Sequence, residues 1–136
     1  MMKFLAITLL TLTSIQLFAQ YRVEVVIRGI EEVKGSVLVA VYNNEASFMK
    51  KHLTSRKVKV AGKEVTLVFE NVKPGEYAIS TFHDENDNNK LDSNFVGIPK
   101  ELYGFSNDAK GSFGPPDFAK AKVKIDSDKK LVITLK

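Results

Sequence analysis

Residues 64–83, EVTLVFENVKPGEYAISTFH, decide the fold class. Over 64–70 the apolar Val65, Leu67 and Phe69 alternate with Glu64, Thr66 and Glu70, the period of a strand with one buried face. Lys73-Pro74-Gly75-Glu76 supplies turn residues, with proline presetting φ and glycine tolerating what other residues cannot. The turn delivers the chain into a second apolar stretch, 77–83. Two short segments joined by a tight turn, with no helical period between them, belong to an all-β chain and not to βαβ units.

The same grammar extends in both directions. Upstream, 21–28 puts Val23, Val25 and Ile27 on one face, 36–42 is apolar on both faces like a central strand, and 56–60 is a brief third segment. Downstream, 118–126 directs Ala121, Val123 and Ile125 inward, 127–130 forms a turn, and 131–135 returns with Leu131, Ile133 and Leu135, which predicts a hairpin. The count is seven strands. One short crossover helix is predicted over 45–53, with Asn44 as its N-cap and Phe48, Met49 and Leu53 sharing a face.

At the amino terminus, Lys3 precedes an uncharged apolar run from Phe4 to Phe18, and Ala19-Gln20 leads into polar chain. That is the pattern of a cleavable secretory signal. The run is broken by Thr8, Thr11, Thr13, Ser14 and Gln16 and falls short of the roughly 20 apolar residues that span a bilayer. The expected domains are a signal peptide, 1–19, and one β-sandwich, 20–136, exported to the periplasm or the medium with no transmembrane segment in the mature chain. Removing Lys3 leaves 19 basic residues (20 minus 1) against 16 acidic ones, a balance too mild to point to nucleic acid. With no cysteine, thiol chemistry is excluded and stability rests on packing or on a bound ion.

The interval 84–117 departs from this tight spacing. Loops beyond about 12 to 15 residues are uncommon in compact domains and are usually functional or disordered. This one carries Phe95, Ile98, Leu102, Tyr103, Phe105 and Phe113, enough apolar surface to predict an ordered loop docked on the sandwich. Within it, Asp84-x-Asn86-x-Asn88-x-x-x-Asp92 places side-chain oxygens at relative positions 1, 3, 5 and 9, the arrangement by which a short turn gathers oxygens around Ca2+. Asn89 stands where such loops favour glycine, and Lys90 would offer its backbone carbonyl. Position 12 holds Phe95 where a helix-flanked loop has glutamate, so another carboxylate must close the site; Glu101 is the candidate, with Asp87 as the lesser choice. The alternative for these residues is an Asn/Asp-rich turn that caps its own backbone.

A series of local motifs runs through the mature chain: Val72 to Ile79 around the Pro-Gly-Glu-Tyr turn, His83 to Asp92, Gly97-Ile98-Pro99-Lys100-Glu101, Tyr103 to Asn107, and Phe113-Gly114-Pro115-Pro116. Their ordered succession resembles the exported bacterial family called domain of unknown function 2141. The resemblance implies a secreted or periplasmic β-sandwich without an established activity. The turn around Pro74-Gly75 is also similar to that of transthyretin-like and collagen-adhesin repeat domains, which by analogy implies a seven-stranded Greek-key sandwich of transthyretin or Ig-like type.

Three functions compete. The first is a non-catalytic binding module, its loop fastened by calcium and presenting His83, Tyr103, Phe105, Ser106 and Asn107 to an envelope glycan, peptide or protein. The second is a hydrolase using His83 and Asp84, although adjacent strand residues point to opposite faces and Gly104-Phe105-Ser106-Asn107-Asp108 lacks the nucleophile-elbow pattern. The third is a structural accessory subunit docking through an open sheet edge. Lys120, Lys122 and Lys124 alternate along the expected penultimate strand, where outward lysines discourage edge-to-edge aggregation more readily than they bind polyanions.

Overall fold

The computed structural model describes residues 17–136. The apolar run of the expected signal lies almost wholly in 1–16, outside the described residues. Residues 17–20 are exposed and carry no regular structure.

Two sheets share one core. Among the described residues eight strands form: β1 (Tyr21–Arg28), β2 (Ser36–Tyr42), β3 (Thr54–Lys59), β4 (Val65–Val72), β5 (Gly75–Asp84), β6 (Tyr103–Phe105), β7 (Val123–Ile125) and β8 (Lys129–Thr134). A three-stranded sheet runs β4-β1-β8 and a five-stranded sheet runs β3-β2-β5-β6, with β7 pairing to the first part of β5. The all-β expectation holds, but the count of seven strands gives way to eight. The additional strand, β6, has only three residues, too few for a period to be visible.

The alternation of β1 and β2 explains their places. Val23, Val25 and Ile27 meet Val37, Val39 and Val41 across the core, joined by Ile133 and Leu135 of the C-terminal strand segment. Ile27 and Ile133 are wholly enclosed, and burial of such a side chain contributes about 1.5–3 kcal/mol. β2 is apolar on its outer face too because a second cluster lies there: Tyr42, Phe48, Ala78, Phe105 and Ala121. Phe48 stacks edge-on with Tyr42 at 5.2 Å and with Phe118 at 5.7 Å between ring centroids.

The predicted crossover helix over 45–53 does not form. Asn44 does cap the segment, its Oδ1 accepting the Ser47 N–H at 2.9 Å, but the chain beyond it makes only turns. Met49 lies at φ 59°, which ends any helical run, and the turns instead push Phe48 into the outer cluster. The helix appears where a strand was predicted: α1 (Phe118–Ala121) precedes β7. The predicted terminal hairpin is also replaced. β7 joins β5 in one sheet, whereas β8 crosses to the other and runs parallel to β1, pairing Val25 with Leu131. Asp128 secures that crossing by accepting the Arg22 N–H at 2.8 Å. Lys120, Lys122 and Lys124 therefore make no single stripe: Lys120 is helical, and Lys122 pairs with Glu76 at 2.8 Å. Among the described residues no helix is long and apolar enough to cross a membrane.

Candidate functional site

The site grows from the end of β5. His83 and Asp84 complete this strand opposite Val37 and Ser36, and both are fully buried. Gly35, at φ +62°, lets the adjacent chain approach the Asp84 carbonyl more closely than any Cβ would permit. His83 lies beneath that junction, its Nε2 donating to the Lys34 carbonyl at 2.7 Å, while Nδ1 is buried without a partner. The imidazole is thus enclosed, with its donor nitrogen committed to backbone.

Asp84 organises the turn beyond the strand. Its Oδ1 accepts the Asn88 N–H at 3.2 Å and its Oδ2 the Asn89 N–H at 2.7 Å. The chain reverses by placing Asp87 and Asn89 at φ 54° and 62°, a left-handed conformation that Asp and Asn tolerate better than most residues. Asn86 and Asn88 accept the N–H groups two residues on, at 3.3 and 2.9 Å, as local Asx turns do. Both amides then donate to Asp92: Asn86 Nδ2 at 2.8 Å to Oδ2, and Asn88 Nδ2 at 2.8 Å to Oδ1. Hydrogen bonds from Asn88 and then Asn86 hold the Asp92 carboxyl below the usual range.

Glu101 closes the arrangement. A turn at 94–98, built on Asn94 Oδ1 accepting the Val96 and Ile98 N–H groups at 3.0 Å, reverses the chain. Lys100 N–H then bonds to the Asp92 carbonyl at 2.7 Å, which brings Glu101 back to the loop. The Glu101 side chain is buried, Oε2 accepting the Glu85 N–H at 2.6 Å and Oε1 the Asp92 N–H at 3.0 Å. One carboxylate therefore clasps both ends of the loop.

The expected calcium residues divide accordingly. Asp84, Asn86, Asn88, Asp92 and Glu101 belong to one hydrogen-bonded network, and Lys90 joins it through its N–H on Asn88. Asp87 turns away: its Oδ1 takes the Ser36 hydroxyl at 2.7 Å and lies 3.2 Å from the Lys57 ammonium. Ser36 first and Lys57 second lower its carboxyl pKa. No group of three or more His, Asp or Glu side chains among the described residues has the spacing of a metal site, because amides and backbone N–H groups stand between the carboxylates.

The residues expected to present a ligand surface are not brought together on an exposed face. His83, Phe105 and Ser106 are buried. Ser106 Oγ accepts the Ile79 N–H at 2.9 Å and donates to the Ala121 carbonyl at 2.5 Å. Asn107 donates to the Lys120 and Lys122 carbonyls at 3.1 and 2.9 Å, fastening the chain before β7. Tyr103 alone of the five keeps a partly exposed side chain with no such tie. The apolar residues of the loop do not all dock: Phe105 enters the outer cluster and Leu102 packs on the main core, but Phe95 and Phe113 are fully exposed and Ile98 is largely so.

A concave surface arises instead on the outer face of the five-stranded sheet, about 490 Å³ in volume. Leu38, Ala40 and Phe82 floor it, Asn89 and Leu91 of the clasped loop form one wall, and Met49 and His52 form the other. Lys57 ties floor to wall by donating to Asn89 Oδ1 at 2.8 Å. The sequence pattern marks these floor positions only as outward residues of β2 and β5, so the concavity was missed; it depends on where the loop lies.

The family model described as "Uncharacterized protein conserved in bacteria (DUF2141)" matches residues 25–133, and the chain belongs to that family. No curated protein and no solved structure matches the chain.

Proposed function

We propose that this member of the family is an exported, non-catalytic binding module, periplasmic or extracellular, with a Greek-key sandwich kinship to transthyretin-like and Ig-like domains. Its Asp84–Asp92 loop serves as a rigid wall for a concave surface that receives an envelope glycan, peptide or protein. The observation that carries this reading is Glu101: a buried carboxylate bonded to the N–H of both Glu85 and Asp92 fixes the loop against the sheet. The enclosed His83, bonded to backbone, favours this role over a hydrolytic one.

Calcium belongs to the same proposal. Asn86 and Asn88 turn their amide nitrogens toward Asp92, and a half-rotation of each amide would present oxygen in its place. With Asp84, Asp92, Glu101 and the Lys90 carbonyl, those oxygens could gather around one ion and replace amide-to-carboxylate bonds by coordination. For a dissociation constant of about 0.1 mM and about 1 mM free ion, linkage stabilises the fold by about 1.4 kcal/mol. For a domain of this size that is a rise of about 5 °C in melting temperature. Calorimetry in about 1 mM free calcium against chelator is expected to give this rise in the parent protein and none in Asp92→Asn or Asp84→Ala. An unchanged parent melting temperature refutes the calcium component.

A further inference from the structure

The two ends of the sandwich differ. At the Asp84 end the sheets are closed by the clasped loop and by Tyr103, which exchanges backbone hydrogen bonds with Lys136 at 3.3 and 3.0 Å. At the other end, where β1 and β5 begin and β2 and β4 finish, the sheets part around a cavity of about 420 Å³. Its depth is lined by the buried Val23, Val41, Ile79 and Ile125, and its outer wall by the half-buried Phe69 and Leu131.

The cavity opens to solvent between the sheet ends, and its volume and mainly apolar walls fall within the roughly 300–1,000 Å³ characteristic of small-molecule sites. Tyr77, one of the large side chains lining it, is held at the wall. Tyr77 donates its hydroxyl to the Lys73 carbonyl at 2.8 Å, which anchors the ring at the wall. The rim supplies the polar groups: Asn43, Thr54, Asn71, Glu70 and Lys73. Glu70 is engaged by Arg22 at 3.3 Å, but Lys73 forms no ion pair among the described residues. The rim therefore offers a carboxylate already paired with Arg22 and, in Lys73, a cation without an ion-pair partner among the described residues.

We propose that this cavity binds an amphipathic organic anion, its apolar tail between the sheets and its carboxylate or sulfonate at Lys73. The charge selects against cations of the same tail, and the chamber selects against short or hydrophilic anions. This site is independent of the calcium loop and of the concave outer face, since neither contributes a lining residue.

Nuclear magnetic resonance titration of the protein with sodium decanoate, kept below its micelle concentration, provides the test. Saturable shifts are expected at Val23, Ile79, Ile125 and Leu131, with decyltrimethylammonium binding at least tenfold more weakly. Lys73→Ala is expected to weaken decanoate binding about tenfold while leaving the melting temperature unchanged. Leu131→Trp, which fills the chamber from its outer wall, is expected to abolish binding; should that variant fail to fold, Val123→Phe makes the same obstruction. Absence of saturable shifts, equal affinity for the two detergents, full affinity in Lys73→Ala, or shifts confined to Leu38 and Phe82 of the outer face each overturn the proposal.

Discussion

Asp92 shows how much of the loop depends on single charges. Its carboxylate accepts both neighbouring amides, and its own N–H is taken by Glu101, so ionisation and loop geometry are linked. The hydrogen bonds from Asn88 and Asn86 depress its pKa, and those from Ser36 and Lys57 depress that of Asp87. A carboxyl whose folded pKa lies below its unfolded value contributes stability above the unfolded value, near pH 4, and loses it as pH falls through the lower folded value. Both groups are solvent-accessible, so the effect is modest and salt-sensitive. The midpoint of urea unfolding is therefore expected to be level from about pH 7 to 5 and to fall below about pH 4, with a shallower fall in Asp92→Asn. A midpoint that stays level or rises on acidification, or an unaltered slope in the variant, contradicts the role given to this carboxylate.

Among the elements, the segment 43–53 and α1 do together what neither does alone. Neither is stable by itself: 43–53 makes only turns, and α1 has four residues where an isolated helix needs roughly 12–15 even in favourable sequences. They are held by Phe48, which sits between Tyr42, Phe105 and Phe118 and is 9% exposed. Truncating a buried phenylalanine costs about 3–5 kcal/mol, and this one lies at the border of burial. Phe48→Ala is expected to lower stability by about 2–4 kcal/mol, whereas Phe95→Ser and Phe113→Ser should each fall within about 0.5 kcal/mol of the parent in denaturant unfolding. Comparable losses at all three positions would mean that the exposed tips are packed in solution. The same residues show what could be read from sequence. Strands β1 and β2 are legible to their end residues because Val23-Val25-Ile27 and Val37-Val39-Val41 repeat over a full strand length. The α1–β7 segment is not, because Ala121, Val123 and Ile125 are all inward in either a strand or a helix followed by a short strand. Likewise, Asp84, Asn86, Asn88, Asp92 and Glu101 announce their convergence by spacing, whereas the burial of His83 and Ser106 depends on backbone partners supplied by Lys34 and Ala121.

At the scale of the molecule, β5 reaches both candidate sites, Tyr77 lining the end cavity and Asp84 anchoring the loop, and its neighbours β2 and β3 do the same through Val41 and Ser36 and through Thr54 and Lys57. Along β5, seven residues of extended chain separate Tyr77 from Asp84 by roughly 23 Å. Sequence periodicity assigns Val23, Ile79 and Leu131 to the inward faces but not to the walls of an open cleft, since a cleft arises from how the sheets splay and not from any residue taken singly. Whether that sheet transmits anything between the sites is testable. Glu101→Gln replaces one acceptor of a backbone N–H by an amide donor, an expected loss of about 1–3 kcal/mol. Leu131→Ala enlarges the cavity from its half-buried outer wall and should cost about 1–3 kcal/mol. Changes more than about 10 Å apart with no shared partner ordinarily add within about 0.5 kcal/mol, so the double variant is expected at the sum of the two losses. An interaction energy above about 1 kcal/mol in that cycle, measured by equilibrium unfolding, would show that the loop and the cavity are energetically coupled through the five-stranded sheet.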